Sequence, residues 1–184
     1  MFSNVKEQKY IILDRDGVIN YDSNDYIKSA DEWIPIPRSL DAIKILTEND
    51  YFIIVISNQA GIKKKIITYK NFIEIYNKMV NVIHNHAGNI GLFSYCPDSN
   101  NKSYNRKPNP GMFLDVAERM KINLSSTYSI GDTPRDLFAS IESGCIPIGV
   151  RTGNGQQIEK EKKLKVLMFD DLLDAVEYII KNDK

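Results

Sequence analysis

The chain has 184 residues, with 24 basic against 24 acidic side chains and 42% hydrophobic residues. A domain of this length can bury roughly 70% of its unfolded surface without help from disulfides or metals, and its balanced charge leaves no electrostatic footprint for nucleic acid or an anionic membrane. Cys96 and Cys145 are too few for a disulfide scaffold, no apolar run approaches the roughly 18 residues of a membrane span, and Met1–Tyr10 is too polar for a signal peptide.

The expectation is one cytoplasmic domain over residues 1–184, monomeric by default. Compact apolar runs at Lys9–Asp14, Tyr51–Ser57, Gly91–Cys96, Thr127–Asp132, Ile146–Val150 and Val166–Phe169 are continuous rather than alternating, as in strands covered on both faces. Helical patterns separate them at Arg38–Asn49, Thr68–His86, Pro110–Lys121, Pro134–Ser143 and Asp170–Lys181. Thr68 and Asp170 read as N-caps, and Pro110 and Pro134 as first-turn prolines whose missing N–H costs nothing there. Ser94–Pro110 and Thr152–Lys165 read as loops. The alternation predicts an α/β fold, a doubly wound Rossmann-like parallel sheet flanked by helices.

Such sheets bind ligands at the carboxyl ends of their strands. The polar residues ending the apolar runs are Asp14 with Asp16, Ser57 with Asn58, and Gly131 with Asp132. In Asp14-Arg15-Asp16-Gly17, Gly17 permits a turn that lets both acids face one ligand. One aspartate can attack phosphorus to form an aspartyl-phosphate, and the other can act as general acid and then general base. Phosphate and carboxylates sharing a pocket demand a cation, and Mg2+ is well matched because it takes few carboxylates plus phosphate oxygen and water.

With these residues in view, the sequence resembles the haloacid dehalogenase superfamily of phosphatases. Its four motifs occur in order as Asp14–Gly17, Ser57-Asn58-Gln59, Lys107 within Arg106–Met112, and Gly131–Asp136. Within that superfamily the D-R-D-G-x-I-N start, the S-N-Q-x-G-I segment, Tyr95-Cys96-Pro97 and R-K-P-x-P-G-M are most similar to the D,D-heptose 1,7-bisphosphate phosphatases, with the histidinol-phosphatases as near relatives. The resemblance implies Asp14 as nucleophile, Asp16 as proton donor, and Ser57 and Lys107 as stabilisers of the transferring phosphoryl group. It also implies Mg2+ held by Asp14, Asp132 and the backbone carbonyl of Asp16. Arg106 would contribute to recognition, and Asp22, Tyr26, Asn58, Gln59 and Thr133 fall at substrate-contact positions. The implied substrate is a small phosphorylated sugar, and the implied partners include neither nucleic acid nor membrane.

One departure is large. The family's zinc loop is reduced here to Cys96, with Asp98, Ser103 and Asn105 at its other ligand positions. One thiolate and one carboxylate do not make a closed tetrahedral S/N site, so zinc is not expected and the loop should be held by turns and Asn/Ser hydrogen bonds. No large insertion follows either early motif, so no separate cap domain is expected. Asp136 stays open between a surface helix residue and a partner for Lys107. Arg15 should point away from the acids in an extended backbone. Cys145 and Arg151-Thr152 match the C-x5-R-[ST] spacing of cysteine phosphatases, but Pro147 removes a phosphate-binding N–H and the segment is strand-like. His84 and His86, two apart on one helix, read as surface residues.

Overall fold

The continuous apolar runs become parallel strands, as expected. The computed structural model describes residues 8–182; the polar start of the chain lies outside the described residues as far as residue 7. The strands are β1 (Lys9–Leu13), β2 (Tyr51–Asn58), β3 (Leu92–Cys96), β4 (Tyr128–Gly131), β5 (Ile146–Val150) and β6 (Leu167–Phe169). They form one 6-stranded parallel sheet in the order β3-β2-β1-β4-β5-β6. The helices are α1 (Pro37–Glu48), α2 (Ala60–Lys63), α3 (Tyr69–Asn85), α4 (Gly111–Met120), α5 (Pro134–Ser143), α6 (Gln156–Lys160) and α7 (Leu172–Asn182).

Both sheet faces are apolar because successive side chains of each strand point to opposite sides. Ile11 and Leu13 pack with Ile53, Val55 and the inner faces of α1, α3 and α7, whereas Ile12 packs with Ile54, Ile56 and the buried side of α4. Each fully buried aliphatic side chain contributes roughly 1.5–3 kcal/mol. The chain runs outward from β1 through β2 to β3, then returns to the other side of β1 to start β4. The switch point therefore lies between β1 and β4, and Asp14 and Asp132 each follow one of those two strands.

Several local expectations shift. Thr68 does cap α3, accepting from the Asn71 N–H at 3.1 Å. At α7 the cap is Asp171, which accepts from the Asp174 N–H at 3.0 Å, while Asp170 instead pairs with Arg151 at 2.8 Å. Pro134 opens α5 at its first position, but Pro110 is the N-cap of α4, one residue earlier than expected. The loop Thr152–Lys165 contains α6, a helix too short to carry a readable hydrophobic period. Between β1 and α1 the chain is irregular and pinned by Ile19, Ile27 and Trp33, all buried.

Candidate active site

Lys107 is the centre of the site. Its ammonium reaches Asp14 Oδ1 at 2.8 Å, Asp136 Oδ1 at 2.7 Å and the Ile56 carbonyl at 2.9 Å, which uses all three of its donors. It is 2% exposed. Burial pulls its pKa down, but the charges of Asp136 and Asp14 outweigh that and hold it above the ordinary lysine value. Asn58 fixes its backbone from both sides, donating from Nδ2 to the Lys107 carbonyl at 3.0 Å and accepting the Lys107 N–H at 3.1 Å. The open choice at Asp136 is thereby settled: it is buried, it faces Lys107, and its other oxygen accepts the Thr133 N–H at 3.0 Å and the Thr133 hydroxyl.

Burial, followed by the charge of Asp136, pushes the Asp14 carboxyl up to about 7. The same causes, joined by Asp14 itself, push Asp132 up to about 8. Asp132 sits in a cradle that only glycine fits. A Cβ on Gly17 (φ +81°) would lie 2.1 Å from Asp132 Oδ2, and one on Gly153 (φ +59°) would lie 2.2 Å from it. The same oxygen accepts the Asn154 N–H at 2.8 Å. The Thr152 hydroxyl ties the two glycine turns together by donating to the Gly17 carbonyl at 2.6 Å.

Arg15 contradicts the expectation that it points away. The backbone leaves extended geometry as it approaches Gly17, and the guanidinium folds onto Asp16, at 3.0 Å from Nε and 2.9 Å from Nη2. Asn20 and Gln59 donate to Asp16 at 3.0 and 3.2 Å. Burial raises the Asp16 carboxyl, but the Arg15 charge and these hydrogen bonds together bring it below the ordinary aspartate value. Gln59 also donates to Ser57 Oγ at 2.8 Å. Ser57 is therefore a buried strand-end hydroxyl.

Above this floor opens a cleft of about 510 Å³, lined by Asp14, Asp16, Ser57, Asn58, Gln59, Lys107 and Thr133 below and by Asp22, Tyr26, Arg106, Arg135, Asn154 and Gln157 at the rim. Asp22 accepts from Asn154 Nδ2 at 2.9 Å, and the Tyr26 hydroxyl accepts from Lys64 at 2.8 Å. Tyr26 holds a left-handed backbone (φ 65°), a strained conformation for a bulky residue. The sequence reading missed Arg135, Asn154 and Gln157, because neither a loop nor a polar helix position announces its chemistry.

The loop after β3 is held by turns, as expected, with two cations in addition. Asp98 accepts the Asn100 N–H at 3.0 Å and pairs with Lys63 at 3.0 Å. Arg106 donates to the Asp98 carbonyl at 2.9 Å and to Asn101 Oδ1 at 3.1 Å. Asn109 bonds the carbonyls of Asn101 and Ser103 at 3.0 and 2.8 Å. Cys96 packs into the apolar cluster with Ile54, Ile56 and Met112.

The acids fit a hard divalent cation. Asp14, Asp132 and Asp136 bring one oxygen each within 4.8 Å of the others, and Asp132 Oδ1 is buried without a hydrogen-bond partner. Asp136 has both oxygens engaged, by Lys107 and by Thr133, whereas Asp14 and Asp132 are each contacted on one oxygen only and keep the other for a cation.

The model of the polynucleotide kinase 3 phosphatase family matches residues 9–142. The D-glycero-β-D-manno-heptose-1,7-bisphosphate 7-phosphatase of Neisseria meningitidis is 41% identical over 180 residues, covering 95% of this chain and 96% of that protein. That of Pseudomonas putida is 39% identical over 166 residues, covering 89% and 95%. The crystal structure of D,D-heptose 1,7-bisphosphate phosphatase from Bordetella bronchiseptica, complexed with magnesium and phosphate, superposes with a TM-score of 0.91 at 36% identity, covering 94% of this chain and 98% of that one. The chain belongs to the heptose-bisphosphate phosphatase family of the haloacid dehalogenase superfamily. As a member it is a phosphoric monoester hydrolase with the superfamily's parallel α/β fold.

Proposed function

We propose that this enzyme removes the C7 phosphate of D-glycero-β-D-manno-heptose 1,7-bisphosphate through an aspartyl-phosphate on Asp14. The observation that carries the reading is the buried Asp14–Lys107–Asp136 cluster at the floor of a cleft at the switch point of the sheet. The substrate rests on full-length relatives bearing that name.

Asp14 attacks phosphorus with one carboxylate oxygen, while Lys107, held at 2.8 Å from its Oδ1, aims it and opposes the rise in pKa that burial and Asp136 impose. Lys107, the Ser57 hydroxyl and the Thr133 region receive charge on the non-bridging oxygens. Asp14, Asp132 and the Asp16 carbonyl would hold Mg2+, which supplies charge neutralisation between carboxylates and phosphate. Asp16 gives its proton to the departing C7 oxygen and later takes one from the attacking water. Its four donors favour the ionised form, so the dianionic phosphate entering beside it supplies the field that raises its proton affinity. Arg15, Asn20 and Gln59 position that carboxyl. The free, buried cysteines Cys96 and Cys145 are compatible with a reducing cytosol, where we place the enzyme.

The test is phosphate release from both heptose 1,7-bisphosphate anomers and from histidinol phosphate, each with Mg2+ and with EDTA. Mg2+-dependent turnover favouring the β-anomer, with the 1-phosphate as product, is expected. Preference for histidinol phosphate, or release of the C1 phosphate, would overturn the assignment.

A further inference from the structure

The cations of the cleft differ in how much binding capacity they have left. Lys107 spends all three donors on Asp14, Asp136 and the Ile56 carbonyl. Arg15 is folded onto Asp16. Arg106 gives Nε and Nη1 to the loop after β3, and Lys64, which is not part of the lining, donates to the Tyr26 hydroxyl.

Among the cations lining the cleft, Arg135 alone has no side-chain hydrogen bond or ion pair to the described residues. It is an exposed residue at the second position of α5, next to the Thr133–Pro134 turn that carries Asp132. Its charge acts at longer range on Asp136, Asp14, Asp132 and Asp22. The first three of these acids are engaged by Lys107, Thr133 and the Asn154 N–H, and Asp22 by Asn154 Nδ2 and the Ser23 N–H. All five guanidinium N–H groups are thus free to reach into the mouth of the cleft.

A sugar bisphosphate presents a problem that this arrangement answers. The reacting phosphate sits over Asp14, so the retained phosphate, several bonds away along the sugar, must lie towards the rim. There it carries about two negative charges and meets Asp22, which repels it. A planar fork with unspent donors recognises a phosphate bidentately.

We propose that Arg135 is the anchor for the second, non-transferred phosphate, and so selects bisphosphates over monophosphates at this site. The inference rests on the sugar-bisphosphate reading above. It separates Arg135 from Arg106: Arg106 shapes the loop wall as well as meeting substrate, while Arg135 bonds no part of the wall and is left to contact the phosphate.

The experiment compares wild type, Arg135→Ala and Arg135→Lys on heptose 1,7-bisphosphate and on heptose 7-phosphate, which lacks the second phosphate, all in saturating Mg2+. Arg135→Ala is expected to lower kcat/KM for the bisphosphate by about 10- to 100-fold, mainly through KM, the range of a lost charge-assisted hydrogen bond. For heptose 7-phosphate the change should stay within about threefold. Arg135→Lys should recover part of the loss, since the charge survives without the fork. Equal losses on the two substrates would overturn the inference, because Arg135 would then act through the acids of the floor. So would an unchanged KM for the bisphosphate. A wild type inert on the bisphosphate would instead sink the functional reading beneath it. Because the side chain is exposed, the variant's melting temperature serves as a folding control.

Discussion

At the floor of the cleft Asp14, Lys107, Asp132 and Asp136 are each at most 7% exposed, and each is held by at least one bond from another element. At the rim Asp22 and Arg135 are exposed, Tyr26, Arg106 and Asn154 are half-buried, and the bonds run through single flexible side chains. The floor is fixed by strand ends, by two glycine turns and by an amide that holds the Lys107 backbone, so its geometry is set before substrate arrives. The rim is carried by the segment after β1, the loop after β3, the start of α5, and the loop after β5 with the start of α6. Phosphoryl transfer needs preorganised charge, whereas choice among phosphorylated metabolites needs contacts that can change without moving that charge. On the proposed function the two regions divide that labour, and substitutions in them should fail in different ways.

The largest effect belongs to the floor. Asp14→Asn should cut turnover by at least about 10³-fold while leaving the fold intact, because the change is nearly isosteric. Steady-state phosphate release together with circular dichroism checks both halves, and substantial residual turnover would break the assigned role. Lys107→Met should cost stability as well as rate. It leaves Asp14 and Asp136 facing one another without their shared cation, a loss on the order of 3–5 kcal/mol. Thermal melting should then fall by roughly 10 °C for a chain of this size, and a melt within a degree or two of wild type would show that the cluster is not the structural keystone described.

The third prediction concerns pH. Asp14 and Asp132 are raised to about 7 and about 8, so the folded, metal-free protein holds protons that the unfolded chain has released above about pH 4. Stability therefore falls as pH rises from there towards 8, since more protons are bound in the native state. Metal-free protein should lose several degrees of melting temperature between pH 5.5 and 8.5, and added Mg2+ should restore more of it at the alkaline end. A flat profile would mean that the acids are already compensated.

The smallest effect lies at the rim. Arg106→Ala should raise KM by about tenfold with kcat little changed. A kcat defect as large as that of a floor substitution would erase the distinction between the two regions.

The division also explains what could be read without coordinates. The fold and the floor acids were legible because Asp14 and Asp132 stand where continuous apolar runs stop, and a parallel sheet brings such ends together. Asp136 was only half legible. Its pairing with Lys107 joins α5 to a segment distant in the chain, and helical position alone does not say which neighbour the carboxylate meets. Arg15 was misplaced by assuming extended backbone one residue too far, where the approach to Gly17 already turns the chain. Rim residues such as Asn154, Gln157 and Arg135 carried no pattern, because their placement depends on how loops and helix starts settle around the finished floor.

The central claim is that the floor works by two successive in-line displacements, first by Asp14 and then by water. It is tested most directly by hydrolysis of a heptose substrate whose C7 phosphorothioate is chiral by oxygen isotope, with the configuration of the released thiophosphate as the readout. Two displacements predict overall retention at phosphorus. Inversion would mean that water attacks the substrate directly, and the account of Asp14 as nucleophile would be wrong.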